Sequence, residues 1–194
     1  MVVNLARDIQ ENSVVDGEGI RAVIWAQGCL HNCKGCHNPE SHDFNAGQKV
    51  KVEDVKLKLF QLKCHDGVTF SGGDPLFQAK QFAEIAKYAK SINLNVWCYT
   101  GFLFEYLLQL SAKDDHVKTL LENIDVLVDG KFELEKRSLN LHYKGSTNQR
   151  VLDVPKSLEL KSAVEIEKFK GEKPLTLYLG AVKRQEGLFI WWYF

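Results

Sequence analysis

Three cysteines, Cys29, Cys33 and Cys36, fall within eight residues as C-x-x-x-C-x-x-C. Three thiolates on one short loop can ligate three irons of a four-iron, four-sulfur cube, which ordinarily takes four cysteines. The missing fourth ligand leaves one iron open to a bound molecule. The spacing therefore points to a reactive metal centre more than to one that only carries electrons. Structural zinc is the competing reading. Zinc takes four ligands, usually Cys and His in paired spacings. His37 or His42 is available as a fourth, but the chain has no second C-x-x-C and no H-x-x-x-H pair.

Positioning those thiols takes a scaffold, and the flanking sequence alternates short apolar runs with helical patterns. Ala22, Val23, Ile24, Trp25 and Ala26 form a continuous apolar run suited to a strand covered on both faces. Val52, Val55, Leu59 and Leu62 make a stripe at helical spacing, with charged residues outside it. Residues 67–70 read as the next strand, closed by Ser71-Gly72-Gly73-Asp74-Pro75, a strong turn signal. Phe82, Ile85, Ala86 and Ala89 mark an amphipathic helix. Residues 94–99 form a third strand, closed by Thr100-Gly101. Residues 102–110 and 116–123 are helical, and residues 124–128 form a fourth strand closed by Asp129-Gly130. This alternation means βαβ units and a parallel sheet, whose ligand site lies beyond the carboxyl ends of its strands. The cysteine loop, the Gly-Gly-Asp-Pro turn, Tyr99-Thr100-Gly101 and Asp129-Gly130 each follow a strand end.

Beyond about residue 131 the pattern weakens. Residues 131–139 read as a loop or broken helix and 144–150 as a polar turn. Residues 151–154, 162–170 and 175–179 read as strands. The last seven residues, 188–194, are nearly all apolar. They suit a final strand or core edge, a partner-binding patch, or an extension without function.

Composition narrows the classes. A chain of 194 residues makes one domain, or one with a short appendage. Lys plus Arg and Asp plus Glu both number 25, which argues against a broad nucleic-acid-binding surface. No apolar stretch approaches the roughly 20 residues of a membrane helix. The first ten residues carry Arg7 and Asp8 and lack the apolar core of a signal peptide. The expected partners thus include no nucleic acid and no membrane, and the expected compartment is the cytoplasm. Five cysteines with three clustered suit metal binding in a reducing compartment better than a disulfide framework. Cys64 and Cys98 are expected to be buried, inert thiols.

The cysteine loop after a first strand, followed by a Gly-Gly-acid-Pro turn after a second, resembles the radical S-adenosylmethionine superfamily. Further segments occur over roughly residues 10–154: Val15-Asp16-Gly17-Glu18-Gly19, Gly35-Cys36-His37-Asn38-Pro39-Glu40, Tyr99-Thr100-Gly101, Leu127-Val128-Asp129-Gly130-Lys131-Phe132 and Gly145-Ser146-Thr147-Asn148-Gln149. With these the chain is similar to the activating proteins of anaerobic ribonucleoside-triphosphate reductases. Tyr99 stands where that group often has Trp. Nothing carries over to residues 155–194.

The resemblance implies an α/β fold: an incomplete, laterally open (βα)-type barrel of the radical SAM kind with a mainly parallel sheet. A closed eight-unit barrel takes about 250 residues. The implied division is a radical SAM domain at 1–154 and a C-terminal extension at 155–194. The implied cofactors are a 4Fe–4S cluster on Cys29, Cys33 and Cys36, and S-adenosyl-L-methionine at the open iron. Around the latter, the resemblance places Gly35, Cys36, His37, Gly72, Gly73, Asp74, Thr100 and Asp129. Gly72 and Gly73 let backbone approach the ligand. Asp74 either caps a helix begun at Pro75 or adds negative charge near the methionine ammonium. Thr100 and Asp129 face ribose hydroxyls or a cation, or are plain turn residues. Gly35 and His37 flank the adenine, or His37 is a surface group. Asp16 and Gly17 shape the turn before the first strand. The implied reaction is reductive cleavage of S-adenosylmethionine to place a glycyl radical on the reductase, with a flavodoxin- or ferredoxin-type electron donor. The alternatives are an activase of another glycyl radical enzyme (pyruvate formate-lyase type), a small cyclising enzyme of the superfamily such as the deazaguanine synthase, or a zinc-stabilised non-catalytic domain.

Overall fold

A computed structural model of the protein describes residues 1–172. The strands in chain order are β1 (Val2–Leu5), β2 (Gln10–Ser13), β3 (Arg21–Ala26), β4 (Gln48–Lys51), β5 (Gly67–Gly72), β6 (Asn95–Tyr99), β7 (Val126–Asp129) and β8 (Arg150–Asp153). The helices are α1 (Val52–Gln61), α2 (Ala79–Ser91), α3 (Phe104–Ser111), α4 (Asp115–Glu122) and α5 (Val154–Leu160). One sheet runs β4-β1-β3-β5-β6-β7-β8, with β2 also on β3. Its centre is parallel: β3 to β5, β5 to β6 and β6 to β7. The strands are apolar on both faces there because both faces are covered.

Antiparallel strands flank this parallel centre. β1 and β2 on β3, β4 on β1, and β8 on β7 are all antiparallel. Parallel pairing needs a crossover, usually helical. The connections of β1 and β2, and the segment from β7 to β8, return along an edge without one. The described sheet ends at β4 and β8 and stays open. It is a mixed α/β open sheet. β1, β2 and β4 escape sequence reading because they are short and half-exposed, with little alternation.

Ile24, Phe70, Val96, Cys98, Leu127 and Leu152 face the helices and pack on Phe82, Ile85, Phe104 and Leu120. The opposite face carries a smaller cluster of Trp97, Val126, Val128 and Val151, closed by Phe169. Residues 162–170, expected as a strand, instead hold one isolated bridge, at Glu165, and a 3-10 turn at Glu167–Phe169. The preceding α5 begins at Val154 because Asp153 caps it and Pro155 sits in its first turn. Residues 155–172 thus pack on the same core as the rest. The expected strand at 175–179 and the apolar run 188–194 lie outside the described residues. Cys98 is buried as expected, but Cys64 is exposed. It occupies the turn before β5 in a left-handed conformation, φ +60°.

At the amino ends of the parallel strands, Arg21 is buried. Its Nε donates to Thr69 Oγ1 (2.7 Å), and its Nη atoms donate to the carbonyls of Glu18 (3.0 Å), Val68 (2.7 Å) and Asn95 (2.9 Å). Its guanidinium lies 5.3 Å from the Trp97 ring centroid. Burial lowers its pKa to about 10, so it remains charged near neutral pH. Replacing Arg21 by Leu orphans these buried acceptors. The expected loss of stability, read by urea unfolding, is on the order of 3 kcal/mol. An unchanged midpoint would show that these bonds contribute nothing net.

Candidate metal centre

β3 ends at Ala26, and the chain turns at once through Gln27 and Gly28. Gly28 has φ +102°, and the Phe44 ring occupies the space a Cβ would need, 2.5 Å away. The loop then closes on itself. Gly28 N donates to Ser41 O (2.8 Å) and Cys29 N to His42 O (3.1 Å). Gln27 Nε2 donates to Asp43 O (2.6 Å). Cys29, Cys33 and Cys36 are half-buried on this loop. All three line a cavity of about 630 Å³. Its walls are Trp25, Ser71, Gly72, Gly73, Tyr99, Thr100, Gly101 and Gly130, together with parts of the 132–149 segment. The cavity therefore sits beyond the carboxyl ends of β3, β5, β6 and β7, where a parallel sheet places its ligand.

The backbone amides of His31 and Phe132 act to lower the thiol pKa of Cys29 and Cys33 respectively. Asn38 N lies 3.4 Å from Cys36 Sγ. Hydrogen bonds of this kind tune metal-bound sulfur. In the metal-free chain burial pushes the Cys29 thiol up to about 11 and raises Cys33 as well, with those amides opposing. Ligation must then displace protons, because thiolate is the ligating form. Two further polar atoms suit a ligand in the cavity. Trp25 Nε1 and His42 Nε2 belong to lining residues, are buried, and have no partner among the described residues. A buried unpaired donor is costly unless something meets it. Among the described residues no three His, Cys, Asp or Glu side chains converge on a single-ion site. A cube, with its irons at separate corners, does not require such convergence. The donor set and the cavity thus fit an iron–sulfur cluster.

The expected site residues separate into two groups. Cys29, Cys33, Cys36, His37, Gly72, Gly73 and Thr100 line the cavity. Gly35, Asp74 and Asp129 do not. Gly35 turns the loop at φ +72°, and Leu134 fills the space beside it. Asp74 Oδ1 accepts from Leu76 N (2.9 Å), capping the short 3-10 turn Pro75–Gln78. Its Oδ2 accepts from His31 Nε2, Thr100 Oγ1 and Gly101 N. Asp129 is buried, with its carboxylate engaged by Arg150 Nε (2.9 Å), Arg150 Nη2 (2.5 Å) and Phe104 N (2.8 Å). That ion pair raises the Arg150 pKa. Gly72 and Gly73 also let two stretches of protein backbone come close. A Cβ on Gly72 would lie 2.7 Å from Ala26 O, and one on Gly73 would lie 2.5 Å from Gly28 O. Their bareness lets two protein backbones meet.

Sequence reading missed His31, Trp25 and Phe132 as cavity residues, and named His42 only as a candidate zinc ligand. His31 had one available signal, its place between two ligand cysteines. His37 packs against Phe132, centroids 4.9 Å apart, and a Cβ on Gly145 would meet both rings at 3.0 Å. That pair, its rings tilted 46° to each other, forms part of the cavity wall.

Residues 15–152 match the model of the 4Fe-4S single cluster domain. The chain is also similar to curated proteins named anaerobic ribonucleoside-triphosphate reductase-activating protein. The Pasteurella multocida protein is 36% identical over 146 residues, which is 70% of this chain and 89% of that one. The chain belongs to this family. The protein of enterobacteria phage T4 is 32% identical, over 71% of this chain and 86% of its own length. That of Escherichia coli is 32% identical, over 71% and 91%. The matched region of this activating-protein family member carries the whole cysteine loop and nearly all of the cavity wall. It stops within β8, before α5. No helix among the described residues is long and apolar enough to cross a membrane.

Proposed function

We propose that this chain is an activase that binds a 4Fe–4S cluster and S-adenosylmethionine and places a glycyl radical on an anaerobic ribonucleoside-triphosphate reductase. One observation carries the reading. Three cysteines open onto one cavity, and neither remaining cysteine can complete the set. Cys98 packs in the helix-side core and Cys64 is exposed before β5, at the amino end of the parallel strands. One iron of a bound cluster would therefore lack a cysteine ligand.

A cluster held by Cys29, Cys33 and Cys36 would supply one electron to the sulfonium of S-adenosylmethionine, whose carbon–sulfur bond to the adenosyl group would break to release methionine and the hydrogen-abstracting radical. The chain's own residues do the rest. Cys29, Cys33 and Cys36 hold three irons, and the Asn38 N–H steadies the Cys36 sulfur. Gly72 and Gly73 line the wall with backbone and are assigned to the methionine ammonium. The His37–Phe132 wall is assigned to the adenine, which stacks on aromatic faces. Trp25 Nε1 is left to donate to a polar group of the ligand. Thr100 and Gly35 act through the loops they shape. Asp74 and Asp129 brace strand ends.

The cavity mouth carries the exposed aliphatic residues Val14, Val15 and Leu139. An open, partly apolar rim suits a loop of another protein better than a small molecule, which is usually enclosed. The activity is assigned to residues 1–154, with 155–194 as an extension. A flavodoxin- or ferredoxin-type protein is the assigned electron donor.

The test is anaerobic incubation of the reconstituted chain with dithionite and S-adenosylmethionine, with and without the reductase. The expected result is 5′-deoxyadenosine, together with a glycine-centred paramagnetic doublet on the reductase. An intact cluster that yields no 5′-deoxyadenosine would remove the proposed reaction.

A further inference from the structure

His31 lies between Cys29 and Cys33, and its side chain is only 8% exposed. Its Nε2 donates to Asp74 Oδ2 at 2.7 Å, and the Asp74 side chain is 1% exposed. The imidazole packs edge-on to Phe102, centroids 4.5 Å apart, and against Phe77 at 5.7 Å. Gly101 has no side chain to spare here, since a Cβ would overlap the His31 ring. The ring therefore has one place to sit.

Asp74 joins more than one turn. Its carboxylate takes His31 Nε2 from the loop after β3, Leu76 N from the turn after β5, and Thr100 Oγ1 (2.8 Å) and Gly101 N (3.0 Å) from the turn after β6. Four donors meet a group with about four acceptor sites. Little capacity is left for a ligand's ammonium, and the residue lies outside the cavity wall. Asp74 N also donates to Gly28 O at 3.0 Å. Asp74 thus grips the cysteine loop on both sides of Cys29, at residues 28 and 31.

The geometry points to His31 and Asp74 as positioning residues. Their hydrogen bond locks the cysteine loop onto the turns after β5 and β6, so that Cys29 and Cys33 are held in their ligating arrangement before any metal arrives. The inference rests on the iron–sulfur reading for its purpose, while the latch itself is made of protein groups alone. Outer residues that orient metal ligands typically change metal affinity by about 10–100-fold when lost.

The experiment compares wild type with His31→Leu, which removes the bond, and His31→Gln, which retains a donor. Asp74→Asn and the double variant H31L/D74N complete the set. In the metal-free, reduced chain, alkylation by iodoacetamide is followed at each cysteine by mass spectrometry, with exposed Cys64 as internal reference. H31L is expected to raise the Cys29 rate relative to Cys64 by about 10-fold, and H31Q by no more than about threefold. In the loaded chain, iron release to a chelator should accelerate similarly in H31L and much less in H31Q. The double variant should release iron no faster than D74N alone, because both changes break one contact.

Wild-type rates in a folded H31L would overturn the latch. So would equal rates in H31L and H31Q, which would leave only packing. Circular dichroism checks folding. If H31L does not fold, the comparison passes to H31Q against D74N, where equal alkylation rates overturn it. A wild-type chain that takes up no iron would sink the cluster reading, and the alkylation rates would still decide the latch.

Discussion

Replacing any one of Cys29, Cys33 and Cys36 by Ala is expected to reduce S-adenosylmethionine cleavage to background. A cube held at two corners exposes a second iron and loses a ligand that the fold cannot replace. Both spare thiols are in the wrong place: Cys98 faces the helices from the middle of β6, and Cys64 is exposed in the turn before β5. The contrast is part of the expectation. Cys64→Ala should load iron and turn over as wild type does. Cys98→Ala should also load, at a cost of about 1 kcal/mol for the small void it leaves in a close-packed core. Iron and sulfide per chain, with 5′-deoxyadenosine formed under dithionite, read all five variants. Full cleavage in any one of the three loop variants would contradict the assignment of the ligands.

Gly73→Ala should be nearly as damaging, although Gly73 supplies no ligand side chain. The new methyl would lie 2.5 Å from Gly28 O and 2.9 Å from Ser41 O. Both neighbours are backbone, so no side chain can swing aside. Gly28 directly precedes Cys29, and its own amide is tied to Ser41 O. Relief of the overlap must therefore push the cysteine loop away from β5. Overpacking of this sort costs about 1–3 kcal/mol. The expected result is a lowered melting temperature together with poor iron loading. Wild-type loading with an unchanged melting temperature would mean that the loop yields freely, and that the second glycine is there for the ligand alone.

These two variants mark where sequence reading stops. The C-x-x-x-C-x-x-C loop states its chemistry locally, because its three ligands lie within eight residues of one another. The Gly72-Gly73 pair announces a tight turn, but its spacing does not say what comes close. In the fold the carbonyls of Ala26 and Gly28 are among the groups that come close. Asp74 and Asp129 follow the same pattern. Each follows or ends a strand, and each has its carboxylate filled by protein donors. The antiparallel flanks were equally out of reach, because β1, β2 and β4 are four-residue strands with exposed positions and weak alternation.

By itself, the sequence determined the three thiols, the apolar run 22–26 of β3 that delivers them, and the helical stripes of α1 and α2. All of these depend on residues a few positions apart, and chain geometry converts such spacing directly into a face or a loop. Only the tertiary structure decided that His31 meets Asp74 across 43 residues, that Trp25 and His42 keep unpartnered nitrogens at the cavity, and that Cys64 stands exposed. Those relations depend on which strand ends the sheet order sets side by side. Strand order is chosen by the packing of the whole core, which no short stretch of sequence records.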